Sequence, residues 1–156
     1  MHPFRPPALG PYRLLRTLGR GSMGTVHLAV DDRDGRPVAI KAMPLGQDSA
    51  DTDQAQLRQR FLAEVAAARR LSHPDIVTLH DCGEEAGQLW LAMELLQGCD
   101  LGRYTHMSRL LPEPLVLQLV ERLARALAHA HAQGVVHRDI KPANVMLHLP
   151  SGQLKL

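Results

Sequence analysis

The stretch LGRGSMGTVHLAV, Leu18 to Val30, decides how this chain folds. Gly19, Gly21 and Gly24 stand in a G-x-G-x-x-G-x-V pattern. Glycine lets a backbone turn tightly and bring its N–H groups close to phosphate oxygens. Plain turn chemistry accounts for three such glycines equally well, so the neighbours must discriminate. A dinucleotide fold needs a strand before the glycines, a helix after them and an acidic residue about 20 positions on. Here they run into TVHLAV, Thr25 to Val30, which alternates polar and apolar as a half-buried strand does. The other phosphate loop needs Lys and then Ser or Thr after its last glycine, and Thr25-Val26 supplies no lysine. What remains is a hairpin folded over phosphates.

Working outward, YRLLRTLG (12–19) precedes the glycines, DDRDGRP (31–37) is a turn cluster and VAIKAM (38–43) is another apolar strand. Together they predict an antiparallel meander of three strands. The first eleven residues carry four prolines and read as an irregular lead-in. Gly46 to Asp53 reads as a polar loop. Leu57, Phe61, Val65 and Ala68 then recur at helical spacing, predicting an amphipathic helix that ends near Leu71. IVTLHDC (76–82) and QLWLAMELL (88–96) read as two further strands around the turn EEAG. After Gly98 the pattern changes. Leu115, Leu119, Leu123, Leu127 and Ala130 form a long apolar face with Val116 and Val120 beside them. Pro112 and Pro114 open that helix and Gly134 closes it. VMLHL (145–149) and QLKL (153–156) close the chain as strands around PSG. The fold class is α+β: a five-stranded antiparallel lobe with one helix over 12–96, then the start of a helical lobe over 97–156.

Composition narrows the function. Apolar residues make up 45% of the 156 and charged residues 22%, the balance of a globular protein. A net charge of +2 and 3% aromatic residues argue against a nucleic-acid partner, which needs a basic surface and stacking platforms. No run approaches the roughly 18 apolar residues that would span a bilayer. The two cysteines, Cys82 and Cys99, lack metal-type spacing and read as free thiols in a reducing compartment, so the expected location is cytoplasmic. His129 and His131, two apart on a helix, point to different faces, and His80 with Cys82 lacks a third ligand, so neither pair reads as a metal site.

Lys41 lies among apolar neighbours in VAIK. Such a lysine either snorkels its ammonium to water or places it against phosphates beneath the hairpin. A buried cation needs a carboxylate partner. Glu64, the only acid between Gln54 and Ser72, lies along the apolar helix face and is the candidate, with a solvated helix glutamate as the alternative.

The fourth feature is His137-Arg138-Asp139-Ile140-Lys141-Pro142-Ala143-Asn144. With the glycine hairpin, VAIK and Glu64 ahead of it in order, the chain from about Tyr12 to Leu156 resembles the N-terminal part of a eukaryotic-like protein kinase catalytic domain, most nearly the bacterial serine/threonine kinases. The resemblance implies transfer of the ATP γ-phosphate to a serine or threonine hydroxyl of a protein substrate, with Mg²⁺. It makes Asp139 the base for that hydroxyl, Lys141 the cation at the transferring phosphoryl group and Asn144 a metal ligand. Lys41 and Glu64 complete the catalytic set. It assigns the nucleotide to the hairpin, Leu18, Gly19, Arg20, Gly21, Ser22, Met23 and Gly24, and to Val26 and Ala39 around the adenine with Met146 below. Met93 would back the pocket, Glu94 to Leu96 would bond the purine edge and Asp100 would meet the ribose. Arg138 before Asp139 resembles kinases switched on by an activation-loop phosphate. The K-P-x-N form resembles serine/threonine rather than tyrosine kinases.

The quoted family pattern continues with an Asp-Phe-Gly element, and this chain stops at Leu156 before one occurs. The expectation is an incomplete domain with negligible phosphotransfer by itself and an exposed apolar patch on the Leu115 helix. The alternative is a nucleotide-binding or interaction module without transfer, against which the presence of both Lys41 and Asp139 argues.

Overall fold

The computed structural model describes residues 7–21, 24–45 and 51–156. They divide into two compact units, Met1–Arg69 with Leu79–Leu95, and Arg70–Thr78 with Leu96–Leu156.

The first unit is an antiparallel sheet. Its strands are β1 (Ala8–Leu9), β2 (Tyr12–Gly21), β3 (Gly24–Asp31), β4 (Pro37–Pro44), β5 (Leu79–Glu85) and β6 (Gln88–Glu94), in the order β1-β2-β3-β4-β6-β5. The meander and its continuation therefore form as expected, with one addition. Ala8–Leu9 of the lead-in pairs with Arg13 and Tyr12, because Leu9 has a core to enter. That core lies on one sheet face, where Ala29, Val38, Ile40, Ala42, Trp90 and Ala92 are buried with Leu9 and Tyr12. Tyr12 meets Trp90 edge-on at 5.5 Å between ring centroids. Its hydroxyl accepts from Arg33, which also makes an ion pair at 2.7 Å with the buried Asp31. Those hydrogen bonds hold the Asp31 carboxyl down to about 2.

The helix α1 (Asp51–Ala68) begins earlier than its apolar pattern, so 51–53 are helical rather than loop, while 46–50 lie outside the described residues. Only Val65 of its apolar positions is buried; Phe61 and Ala68 are half-buried, and Leu57 is 49% exposed. The ion pair from Arg58 to Glu84 of β5 adds a surface tie at 2.6 Å, of a kind worth about 0–1 kcal/mol. The expected strand at 76–82 starts at Leu79 instead. Residues 70–78 belong to the second unit, because Val77 N–H donates to Leu156 and Leu156 N–H donates to Asp75. The EEAG turn tightens to Ala86–Gly87, with φ of 51° and 72°, the two left-handed residues a type I′ hairpin demands.

The second unit is built on α2 (Glu113–Ala132). Pro112 caps it and Pro114 sits in its first turn, where a missing N–H costs nothing. At the other end Gly134 N–H donates to His131 and Val135 N–H to Ala130, a Schellman motif turned by Gly134 at φ 75°. The strands β7 (Cys99–Asp100), β8 (Met146–His148) and β9 (Gln153–Lys155) form a second sheet, β7 being an addition to the expected pair. Leu119 of α2 packs with Val145, Leu147 and Leu154 of that sheet region. Asp75, 6% exposed, takes two bonds from Arg122 of α2, which also donates to Gly152 at 2.8 Å. The apolar face expected to be exposed is instead buried at Leu119 and Ala130 and half-buried at Leu115, Leu123 and Leu127, because it packs on the second sheet, while Val116, Leu117 and Val120 beside it are exposed. Among the described residues no helix is long and apolar enough to cross a membrane.

Candidate active site

In the first unit, sheet register brings the nucleotide candidates to one face. Lys41 stands between Val26 of β3 and Leu91 of β6, and Ala39 between Leu28 and Met93. Directly opposed residues of an antiparallel pair share a face, and so do positions two apart. Val26, Ala39, Lys41 and Met93 therefore lie together on the face away from the Ile40–Trp90 core. Glu94 pairs with Val38 at the end of β6, and Leu96 opens the second unit. Lys41 is half-buried on this face.

The hairpin above that face closes as β2 meets β3, with Gly19 opposite Val26, Arg20 opposite Thr25 and Gly21 opposite Gly24. Leu18 falls in a bulge, 42% exposed, and Ser22 and Met23 lie outside the described residues. The three glycines answer different demands. Gly24 has φ 135°, and a Cβ there would meet the Ala42 carbonyl oxygen at 2.2 Å. At Gly19 and Gly21 a Cβ meets nothing within 4 Å among the described residues, and neither has positive φ. The fold itself requires glycine only at the third position.

The structure does not bring Glu64 to Lys41. Glu64 is exposed on α1, and no ion pair joins the two. The expected pairing is absent because α1 buries so little of its apolar stripe that its rotation leaves Glu64 in solvent.

In the second unit the HRDIKPAN loop forms a connected set. Asp139 Oδ2 lies 3.0 Å from Lys141 Nζ. Asn144 Nδ2 donates to Asp139 twice, to the backbone oxygen at 2.8 Å and to Oδ2 at 2.9 Å. The bonds from Lys141 and Asn144 hold the Asp139 carboxyl below the usual carboxylate range, so it is ionised and able to accept a proton. Because Asn144 spends its nitrogen on Asp139, its Oδ1 is the end left for another partner. That oxygen suits a hard cation such as Mg²⁺, as one ligand of the several it requires. Lys141 and Asp139 are about half exposed, at 52% and 53%, so the pair adds little to stability.

Two features of this loop had no counterpart in the sequence reading. Arg138 has φ 65°, a left-handed conformation that costs a non-glycine residue roughly 1–3 kcal/mol and tends to occur at functional loops. His137 Nδ1 accepts the Asp139 N–H at 3.2 Å, steering the backbone that carries the carboxylate. The i to i+2 reach of a polar side chain was the available signal for the second. Asp100 and Met146 are direct partners across β7 and β8. Asp100 also caps the following turn, its Oδ1 accepting from Gly102 N–H at 2.9 Å, a structural duty beside any ligand contact.

Residues 12–156 match the protein kinase domain, and the chain belongs to that family. It is 41% identical over 138 residues to the serine/threonine-protein kinase PknD of Mycobacterium tuberculosis, covering 88% of this chain and 20% of that protein. It is 39% identical over 152 residues to PknA of the same organism, covering 94% of this chain and 34% of that one. The crystal structure of the M. tuberculosis PknI kinase domain superposes with a TM-score of 0.81 at 34% identity, covering 97% of this chain and 60% of that domain. The chain thus spans a fifth to a third of the curated relatives it matches.

Proposed function

We propose that this chain carries the nucleotide-binding and catalytic-loop parts of a serine/threonine protein kinase that uses ATP and Mg²⁺. The observation that carries the reading is the Asp139–Lys141–Asn144 set. Asp139 accepts the proton of a protein serine or threonine hydroxyl as its oxygen attacks the γ-phosphorus, whose bond to the β–γ bridging oxygen breaks so that ADP leaves. Lys141 offsets the charge that develops on the transferring group, the main contribution in a loose transition state. Asn144, oriented by Asp139, presents Oδ1 to the metal, which when bound neutralises phosphate charge. On the sheet face of the first unit, Lys41 pairs with phosphate oxygens, Val26 and Ala39 line the adenine, and the end of β6 at Glu94 hydrogen-bonds its edge. Gly19 and Gly21, which the fold does not require, are explained by phosphates approaching the backbone. Two free cysteines support a reducing, cytoplasmic location.

The test is γ-phosphate transfer to a protein substrate by the kinase containing this chain. Asp139→Asn lowers kcat by roughly 10²–10⁴ with little change in ATP affinity, whereas Lys41→Met weakens ATP binding. Full transfer by the Asp139→Asn protein refutes the assignment.

One observation favours a second reading, a nucleotide-binding module without transfer: Glu64 is exposed and unpaired with Lys41. Under that reading Glu64→Gln has no effect on any activity. If transfer needs the pair, the same substitution lowers kcat.

A further inference from the structure

One groove of the second unit shares no lining residue with the catalytic loop. It is an open groove of about 750 Å³ between the turns at 101–104 and 107–109 and the β8–β9 hairpin. Its floor is fixed, because β7 pairs with β8 and Gly98 approaches the Leu147 carbonyl so closely that a Cβ would lie 2.2 Å away. Two features of the lining need a partner. Leu110 and Leu149 flank the groove 55% and 46% exposed, beside the half-buried Tyr104 ring. Arg103 and Arg109 also line it, exposed, with no carboxylate partner among the described residues. No Asp or Glu lines it at all. Asp100, next to it in the chain, caps Gly102, and Glu113 lines the adjoining groove that shares Tyr104, Leu110 and Leu111.

We infer that this groove docks an extended acidic segment of a partner protein, with bulky apolar side chains against Leu110, Leu149 and Tyr104 and carboxylates against Arg103 and Arg109. A small anion would satisfy the arginines and leave the leucines wet. A purely apolar segment would leave the arginines uncompensated. Only a segment carrying both chemistries covers the surface, and the open groove suits an extended strand better than a compact ligand. The inference does not rest on phosphotransfer, since none of these residues belongs to the catalytic set.

Fluorescence anisotropy tests it, with a labelled peptide of leucines flanked by glutamates and a matched peptide in which lysine replaces each glutamate. The acidic peptide binds and the basic one does not. The double variant Arg103→Glu, Arg109→Glu lowers affinity for the acidic peptide by about tenfold or more, and added salt weakens binding in the same direction. Leu149→Ser weakens binding at constant salt dependence, which separates the apolar contribution from the charge. Unfolding midpoints of these surface variants stay at the wild-type value, so lost binding is not lost fold. Equal binding of both peptides, or an unchanged titration in the double arginine variant, overturns the proposal. So does preferential binding to phosphatidylserine vesicles over the acidic peptide, which would make the surface a membrane contact.

Discussion

The three glycines of the hairpin provide a sharp test, because the structure assigns them to different masters. Alanine at Gly24 forces an L-residue to φ 135° and drives its Cβ to 2.2 Å from the Ala42 oxygen and 3.1 Å from Met43 Cγ. Backbone strain of this kind costs roughly 1–3 kcal/mol and overpacking against fixed backbone costs a similar amount. A loss of about 3 kcal/mol is expected, and for a protein of this size it lowers Tm by roughly 10 °C. Alanine at Gly19 or Gly21 meets no neighbour within 4 Å among the described residues. Stability there should stay within about 0.5 kcal/mol, or rise slightly as the unfolded chain loses freedom. The nucleotide, however, would meet the new methyl group where backbone and phosphate are meant to touch. ATP affinity should fall by roughly tenfold, or about 1.4 kcal/mol. Thermal unfolding with and without ATP reads both quantities, since ligand stabilisation follows RT ln(1 + [L]/Kd). The reasoning fails if Gly19→Ala destabilises as much as Gly24→Ala while its ATP-induced shift is intact.

Other consequences follow from the two cores. Ala86 holds a left-handed conformation in the β5–β6 turn, so Ala86→Gly should stabilise the first unit by about 0.5–1 kcal/mol in chemical denaturation. A double-mutant cycle of Asp75→Asn with Arg122→Gln should give a coupling of roughly 1–3 kcal/mol, because Asp75 is buried while Arg122 is 37% exposed; additive single effects would dismiss the pair. Asp31, held at about 2 by Arg33, contributes stability that is present above the unfolded carboxyl's pKa near 3.9 and is lost as pH falls towards 2. Arg33→Gln should remove that acid tolerance, visible as unfolding that begins at higher pH. His80, lowered chiefly by burial, acts over another window: its stabilisation is complete above pH about 6.5 and declines below it, and His80→Gln should flatten that part of the stability profile.

Much of this molecule is local in origin. The G-x-G-x-x-G-x-V pattern followed by an alternating strand can only make a hairpin, and the hairpin with VAIK predicts a meander. The prolines and Gly134 around α2 mark both its ends to within two residues, since capping depends on neighbours in sequence. HRDIKPAN places its own acid, cation and amide together because they lie within six residues of one another.

What the residues left open depends on contacts distant in the chain. Ile76 and Val77 read as a strand of the first sheet, yet backbone bonds with Leu156 and the Asp75–Arg122 pair hold them in the second unit. The lead-in is proline-rich, yet Leu9 finds a core against which a two-residue strand forms. Glu64 sits on the apolar stripe in sequence, yet α1 buries only Val65 of that stripe and the carboxylate stays in water, apart from Lys41. Propensity and spacing set which element each stretch becomes, because they act over a few residues. Which face that element buries is settled by the free energy of packing against partners tens of residues away, and no local pattern encodes that choice.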